Sequence, residues 1–247
     1  MAERPRITSP RLGTPVPSTT VIAGEKRPAL QVARLPRPQA IAPPLVMLTL
    51  PDSPRAATYR VLRHRLSQLG DPRVILVTSA QAGEGKTVCA ANLAITLGEC
   101  GRARVLLVEA NLRAPSIGEL FGFVPADCFA DQMTKHHERP TEPWSVVAAY
   151  EPWLHVLAVA PKNAGRALVD GPAFSVAVEH LRKTIGYDYV VIDAAPVLGS
   201  ADVNVIQDTA EGVVLVTRAK HSSAKRLRQA VEQLAPVRLL GMVLFDE

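Results

Sequence analysis

RVILVTSAQAGEGKT, residues Arg73–Thr87, sets an apolar run directly before a glycine-containing turn. Arg73–Ser79 reads as a strand covered on both faces, because it carries Val, Ile, Leu and Val in a near-continuous apolar run. Gly83 and Gly85 let the backbone turn so that successive N–H groups point into one concavity. A helix begun near Lys86 adds the positive end of its dipole, and the two together form a phosphate cradle. Lys86 is placed to reach the β- and γ-phosphates of a nucleotide, and the Thr87 hydroxyl to ligate Mg²⁺. Ala82, Gly83, Glu84, Gly85, Lys86, Thr87 and Val88 are the expected nucleotide-binding residues. The strict pattern G-x-x-x-x-G-K-[ST] is not met, since Ala80 stands at its first glycine. The plainer reading, a surface lysine on a glycine-rich turn, loses ground because strand, turn and helix follow in the order the motif needs.

The chain has 247 residues, enough for one large α/β domain with a tail. Apolar residues make up 47% and charged residues 21%, the balance of a globular protein. No apolar run approaches the ~20 residues that span a bilayer, and the Arg- and Pro-rich N-terminus lacks the apolar core of a signal peptide. Cys89, Cys100 and Cys128 have no paired or metal-ligand spacing and read as reduced thiols in the cytoplasm. The net charge is +5, and residues 1–44 carry all of the excess. The remainder is close to neutral, so no nucleic-acid partner is expected. Residues 1–44 are expected to be a disordered tail rich in Pro and Arg, too poor in apolar surface to offset its ordering entropy. Residues 45–247 form the expected folded domain.

Along that domain, Leu45–Leu50 reads as a short strand. Ser53 caps a helix over Ala56–Leu69, with Arg60 and Arg63 one turn apart. Val88–Cys100 reads as a helix and Arg104–Glu109 as a buried strand. Residues 123–152 have little period, and His136–His137 read as exposed loop. Trp153–Ala160 reads as a strand in which His155 alternates with apolar residues, a strand-edge polar residue rather than a catalytic base. The pattern then runs helix Pro172–Ile185, strand Tyr189–Asp193, helix Ala201–Thr209, strand Gly212–Thr217, helix Ser222–Leu234 and strand Leu239–Leu244. Repeating strand–helix units with continuous apolar strands mean an α/β fold, a mostly parallel sheet with helices on both faces. Ligands bind such folds at the carboxyl ends of the strands, where Gly85, Glu109 and Asp193 fall. Asp193, after four apolar residues, fits the acid that holds Mg²⁺.

VTSAQAGEGKT, RVLLVEANLRAP and YDYVVIDAAPVL together resemble the cytoplasmic domain of the bacterial tyrosine kinases (BY-kinases), within the MinD/ParA-like P-loop NTPases. LTLPDSP before the first helix and APVLGSAD after Asp193 echo the same family. The resemblance covers about residues 45–245. It implies ATP and Mg²⁺ as cofactors and a role in capsular or exopolysaccharide biosynthesis or export. It further implies a membrane-bound polysaccharide co-polymerase (chain-length regulator) as partner, and a cytoplasmic location peripheral to the inner membrane through that partner. Lys86, Glu109 and Asp193 become the catalytic set, with Glu109 as a base. Thr87, Asp193 and Asn111 become the metal set, and Arg60 and Arg63 match a homo-oligomer contact.

Several residues depart from that pattern. Asn111 replaces an aspartate near the metal, and Glu109 is one methylene longer than the expected aspartate, in chemistry sensitive to ~1 Å. Ala57 replaces a glutamate of the oligomer motif, and Phe245 stands where an asparagine near adenine is usual. No tyrosine cluster follows the last strand. Gln81 replaces the signature lysine of the partition ATPases. Glu84, the acid inside the phosphate loop, reads as solvent-facing. The expectation is an ATP-binding protein with weak phosphoryl transfer or ATPase activity. The alternatives are a catalytically impaired, nucleotide-responsive regulatory subunit and a partition-type ATPase.

Overall fold

The computed structural model describes residues 30–35, 41–150, 152–165 and 170–246. In chain order the elements are β1 (Leu30–Arg34), α1 (Val46–Thr49), α2 (Pro54–Gln68), β2 (Val74–Ser79), α3 (Lys86–Gly98), β3 (Val105–Glu109), α4 (Ile117–Phe121) and α5 (Phe129–Glu138). There follow β4 (Trp144–Ala148), β5 (Leu154–Leu157), α6 (Gly171–His180), β6 (Tyr189–Asp193), α7 (Asp202–Ile206), β7 (Gly212–Arg218), α8 (Ala224–Leu234) and β8 (Leu239–Phe245). They build an eight-stranded sheet in the order β1-β4-β5-β3-β6-β2-β7-β8, parallel except where β4 meets β5. The expected α/β architecture is what forms.

The continuous apolar strands have the predicted cause. Along β2, Val74 and Leu76 enter one core with α5, α6, α7 and α8, while Ile75 and Val77 enter the other with α1 to α4. Each such side chain, fully buried, is worth roughly 1.5–3 kcal/mol. α3 is enclosed almost all round, with Cys89 to Gly98 buried. Its small residues permit that closeness: a Cβ on Gly98 would stand 2.1 Å from the Trp153 ring.

Four expectations are corrected. Leu45–Leu50 is not a strand but contains the helical turn α1, with Thr49 N–H donating to Leu45 O at 2.9 Å. A short apolar run does not distinguish strand from buried helix by period. Asn92 of α3 decides it, accepting Met47 N–H at 3.1 Å and donating to Pro44 O at 2.9 Å. Leu30–Arg34, inside the expected tail, pairs with β4 and rests Leu30 and Val32 on the core. The rest of that tail, residues 1–29 and 36–40, lies outside the described residues apart from Leu35 and residues 41–44. His136 and His137 belong to α5, where the His136 ring stacks on Trp144 with centroids 3.9 Å apart. His155 is not at the sheet edge: it is buried on β5, between β3 and β4, with Nδ1 2.6 Å from the Tyr187 hydroxyl.

Candidate nucleotide and metal site

β2 ends at Ser79 and the chain turns through Gly83 (φ 82°) and Gly85 (φ 89°) before α3 begins at Lys86. Both glycines are left-handed, a conformation other residues adopt at a cost. The predicted strand, turn and helix therefore coincide with the fold. Ala82 and Gly83 are exposed, Gly85, Lys86 and Val88 are half-buried, and Thr87 is buried. Glu84 corrects its expectation: it is 1% exposed, with Oε2 accepting Gln81 N–H at 2.9 Å and Oε1 accepting from the Ser222 hydroxyl. The segment after β7 clasps the loop further. Arg226 donates to Gln81 Oε1 at 2.6 Å, and the Phe245 ring lies 3.3 Å from where a Cβ on Gly85 would be.

β3, β6 and β2 lie side by side, and their register sets Glu109 opposite Asp193 and Asp193 opposite Val77. Both acids therefore reach the same end of the sheet beside the loop. Thr87 Oγ1 donates to Asp193 Oδ2 at 2.8 Å. Asp193 is fully buried, and its Oδ1 has no hydrogen-bond partner among the described residues. Burial pushes its pKa up to about 6, against the opposing pull of the Lys86 charge and the Thr87 hydroxyl. A buried, bare carboxylate oxygen beside a threonine hydroxyl suits a hard cation that prefers oxygen ligands, so these residues fit Mg²⁺.

Glu109 is held differently. Oε1 accepts the backbone N–H of Ser116 at 2.5 Å and of Ile117 at 2.7 Å, and Oε2 accepts that of Val159 at 2.7 Å. Burial pushes it up to about 7 despite these donors, and the Asp193 charge adds to the rise. Asn111, expected beside the metal, spends its amide on Ala114 O at 2.7 Å. Ser116, which sequence reasoning passed over, donates its hydroxyl to Thr87 Oγ1 at 3.2 Å. A serine five residues past Asn111 carries no motif signal of its own. Arg113, also unassigned, pairs with buried Asp202 at 3.0 Å. Arg60 and Arg63 lie away from this site and both bond Glu99 of their own chain, Arg60 at 2.5 Å and Arg63 at 3.1 Å. No helix of the described residues is long and apolar enough to cross a membrane.

A family model described as ParA, NUBPL iron-transfer P-loop NTPase, matches residues 72–244. The tyrosine-protein kinase YwqD of Bacillus subtilis is 29% identical over 207 residues, covering 81% of this chain and 84% of that protein. The succinoglycan biosynthesis transport protein ExoP of Rhizobium meliloti is 25% identical over 208 residues, covering 81% of this chain and 26% of that protein. The chain thus spans most of YwqD and about a quarter of ExoP. Among solved structures, the chimerical protein CapA2B2 superposes with a TM-score of 0.69 at 22% identity, covering 83% of this chain and 91% of that one, which shows the shared fold. A phosphate-cradle loop, two buried acids beside it and these likenesses converge: the chain belongs to the ParA family of P-loop NTPases, and bacterial tyrosine kinases are among its relatives.

Proposed function

We propose that this chain binds ATP with Mg²⁺ on the loop Ala82–Val88 and acts in capsular or exopolysaccharide assembly. Its place is the cytoplasmic side of the inner membrane, beside a membrane-bound polysaccharide co-polymerase. The observation that carries the reading is the Thr87–Asp193 pair, with one buried carboxylate oxygen left bare next to a phosphate cradle. Lys86 neutralises the terminal phosphates, and Thr87 and Asp193 hold the metal side. Mg²⁺ held there would supply neutralisation of the phosphate charge. The names of ExoP, a succinoglycan biosynthesis transport protein, and YwqD, a tyrosine-protein kinase, support the polysaccharide setting and the kinase chemistry respectively.

Transfer to tyrosine also needs a group that takes the hydroxyl proton. Glu109 fills that role poorly, because three of its about four lone-pair sites already accept backbone N–H groups. Nucleotide binding therefore outlasts transfer. This favours, as a second reading, a nucleotide-responsive regulatory subunit. An iron-transfer role finds no support in the cysteines. Thiolate clusters need several cysteines together, whereas Cys89 and Cys128 are buried on opposite faces of the sheet and Cys100 is exposed.

Isothermal titration of the wild type with Mg²⁺–ATP, beside Lys86→Ala, tests the proposal. Saturable binding in the wild type, lost in Lys86→Ala, is expected; no binding in either overturns it. Phosphotyrosine on a co-expressed partner, abolished by Lys86→Ala, selects the active kinase over the regulatory subunit.

A further inference from the structure

The loop between β3 and α4 brings an unassigned hydroxyl to the phosphate loop. Ser116 Oγ is 3.2 Å from Thr87 Oγ1, which is 2.8 Å from Asp193 Oδ2. Adjacent corners of an octahedron with ~2.1 Å arms lie ~3.0 Å apart. Both separations therefore suit oxygens at neighbouring corners of one Mg²⁺ shell. Asp193 Oδ1, buried and without a hydrogen-bond partner among the described residues, would suit the same cation.

Ser116 does not reach this place by chance of side-chain rotation. Its backbone N–H and that of Ile117 are both bonded to Glu109 Oε1, while Oε2 is tied to Val159 N–H beyond β5. One carboxylate thus fastens the end of the β3–α4 loop to two strands. Asn111 closes the start of the same loop by its bond to Ala114 O.

We infer that Ser116 contributes an oxygen to the Mg²⁺ shell, directly or through one water, and that Glu109 is the positioning residue that holds it there. In this chain Ser116 then supplies a neutral oxygen to the shell, while Asn111 donates its amide to Ala114 O. Glu109 needs both oxygens and its full length to span the three donors. The inference rests on the Mg²⁺–ATP reading above.

The test follows binding of a fluorescent ribose-labelled ATP to the full chain, across a Mg²⁺ series and in EDTA. Ser116→Ala keeps the backbone N–H that Glu109 accepts, so the loop anchor stays. It is expected to raise the half-saturating Mg²⁺ about tenfold, the scale seen when groups supporting a metal are removed, and to leave the affinity in EDTA unchanged. Ser116→Thr, which keeps a hydroxyl, is expected to restore the wild-type requirement. Glu109→Gln, whose amide nitrogen must oppose one N–H donor, is expected to shift the requirement in the same direction as Ser116→Ala. A Ser116→Ala curve that coincides with the wild type overturns the inference and leaves the parent reading standing. So does an equal loss of affinity with and without Mg²⁺, which marks a merely structural serine. No nucleotide bound by the wild type in either condition overturns the parent reading and the inference together.

Discussion

Asp193 and Glu109 end neighbouring strands and are both buried, yet their surroundings give them different work. Glu109 has three backbone donors on its oxygens, and Asp193 has one hydroxyl and a bare oxygen. A buried acceptor without a partner costs about 1–3 kcal/mol. The fold carries that cost at Asp193, where a bound cation would offset it, and avoids it at Glu109, where the carboxylate anchors a loop. His155 shows burial acting in the opposite sense on a base. Burial, with the Arg104 charge, holds its pKa down at about 4 against an ordinary 6.5. Between those values the unfolded chain binds the proton that the folded chain refuses. The stability His155 contributes is therefore present above pH 6.5 and is lost as the pH falls through about 4. His155→Phe is expected to cost about 1–3 kcal/mol at pH 7.5 through the orphaned Tyr187 hydroxyl. It is also expected to flatten the fall in thermal midpoint from pH 6.5 to 4. Parallel pH profiles for variant and wild type, followed by circular dichroism, would contradict this account.

At the scale of elements, α3 is the hub: it starts at the phosphate loop and is tied to α1 and α2 by side chains of unequal worth. Arg60 and Arg63 of α2 reach Glu99 just past its end, with the Arg60 side chain 34% and the Glu99 side chain 24% exposed. A pair so open to solvent contributes no more than ~1 kcal/mol. Assembly through these arginines would have to compete with this contact inside the chain. Asn92 is fully buried and serves Met47 N–H, Pro44 O and Val88 O at once. Asn92→Ala strands Met47 N–H in the interior, whereas the exposed Pro44 keeps Val46 N–H on its carbonyl at 2.9 Å, and is expected to destabilise by about 1–3 kcal/mol. Chemical denaturation measures the loss. Protection of the α1 amides from hydrogen exchange should fall before that of β2. A loss below half a kilocalorie, on the order of an ordinary surface change, would mean that α1 is held by its apolar contacts alone.

Over the whole molecule, the sheet order separates chemistry from one of its edges. β2, β6 and β3 carry the loop and both acids, whereas β1 lies beyond β5 and β4. Deleting residues 1–35 removes β1, bares the β4 edge, and opens the hollow of about 370 Å³ that Val32, Phe123, Val146 and Leu157 help to line. The thermal midpoint is expected to fall, while affinity for Mg²⁺–ATP stays at the full-length value, because distant sites act independently. A matching loss of nucleotide affinity in calorimetry would show that β1 supports the site after all. Much of this plan was legible in the sequence. Tyr189–Asp193, the run of Val74–Val77 and the glycines at 83 and 85 are local requirements: a strand buried on two faces must be apolar throughout, and a left-handed turn favours glycine. Such features determined the α/β class, the phosphate loop and the two strand-end acids. Tertiary structure decided the rest. Leu45–Leu50 became a helical turn because Asn92 met it, and Leu30–Arg34 became a strand because β4 offered an edge. Glu84 turned inward to Ser222, and Ser116 was drawn to Thr87 by a glutamate fastened on two adjacent amides and a distant third. None of these outcomes follows from spacing along the chain, since each depends on which hydrogen-bonding partner the closed fold brings within about 3 Å.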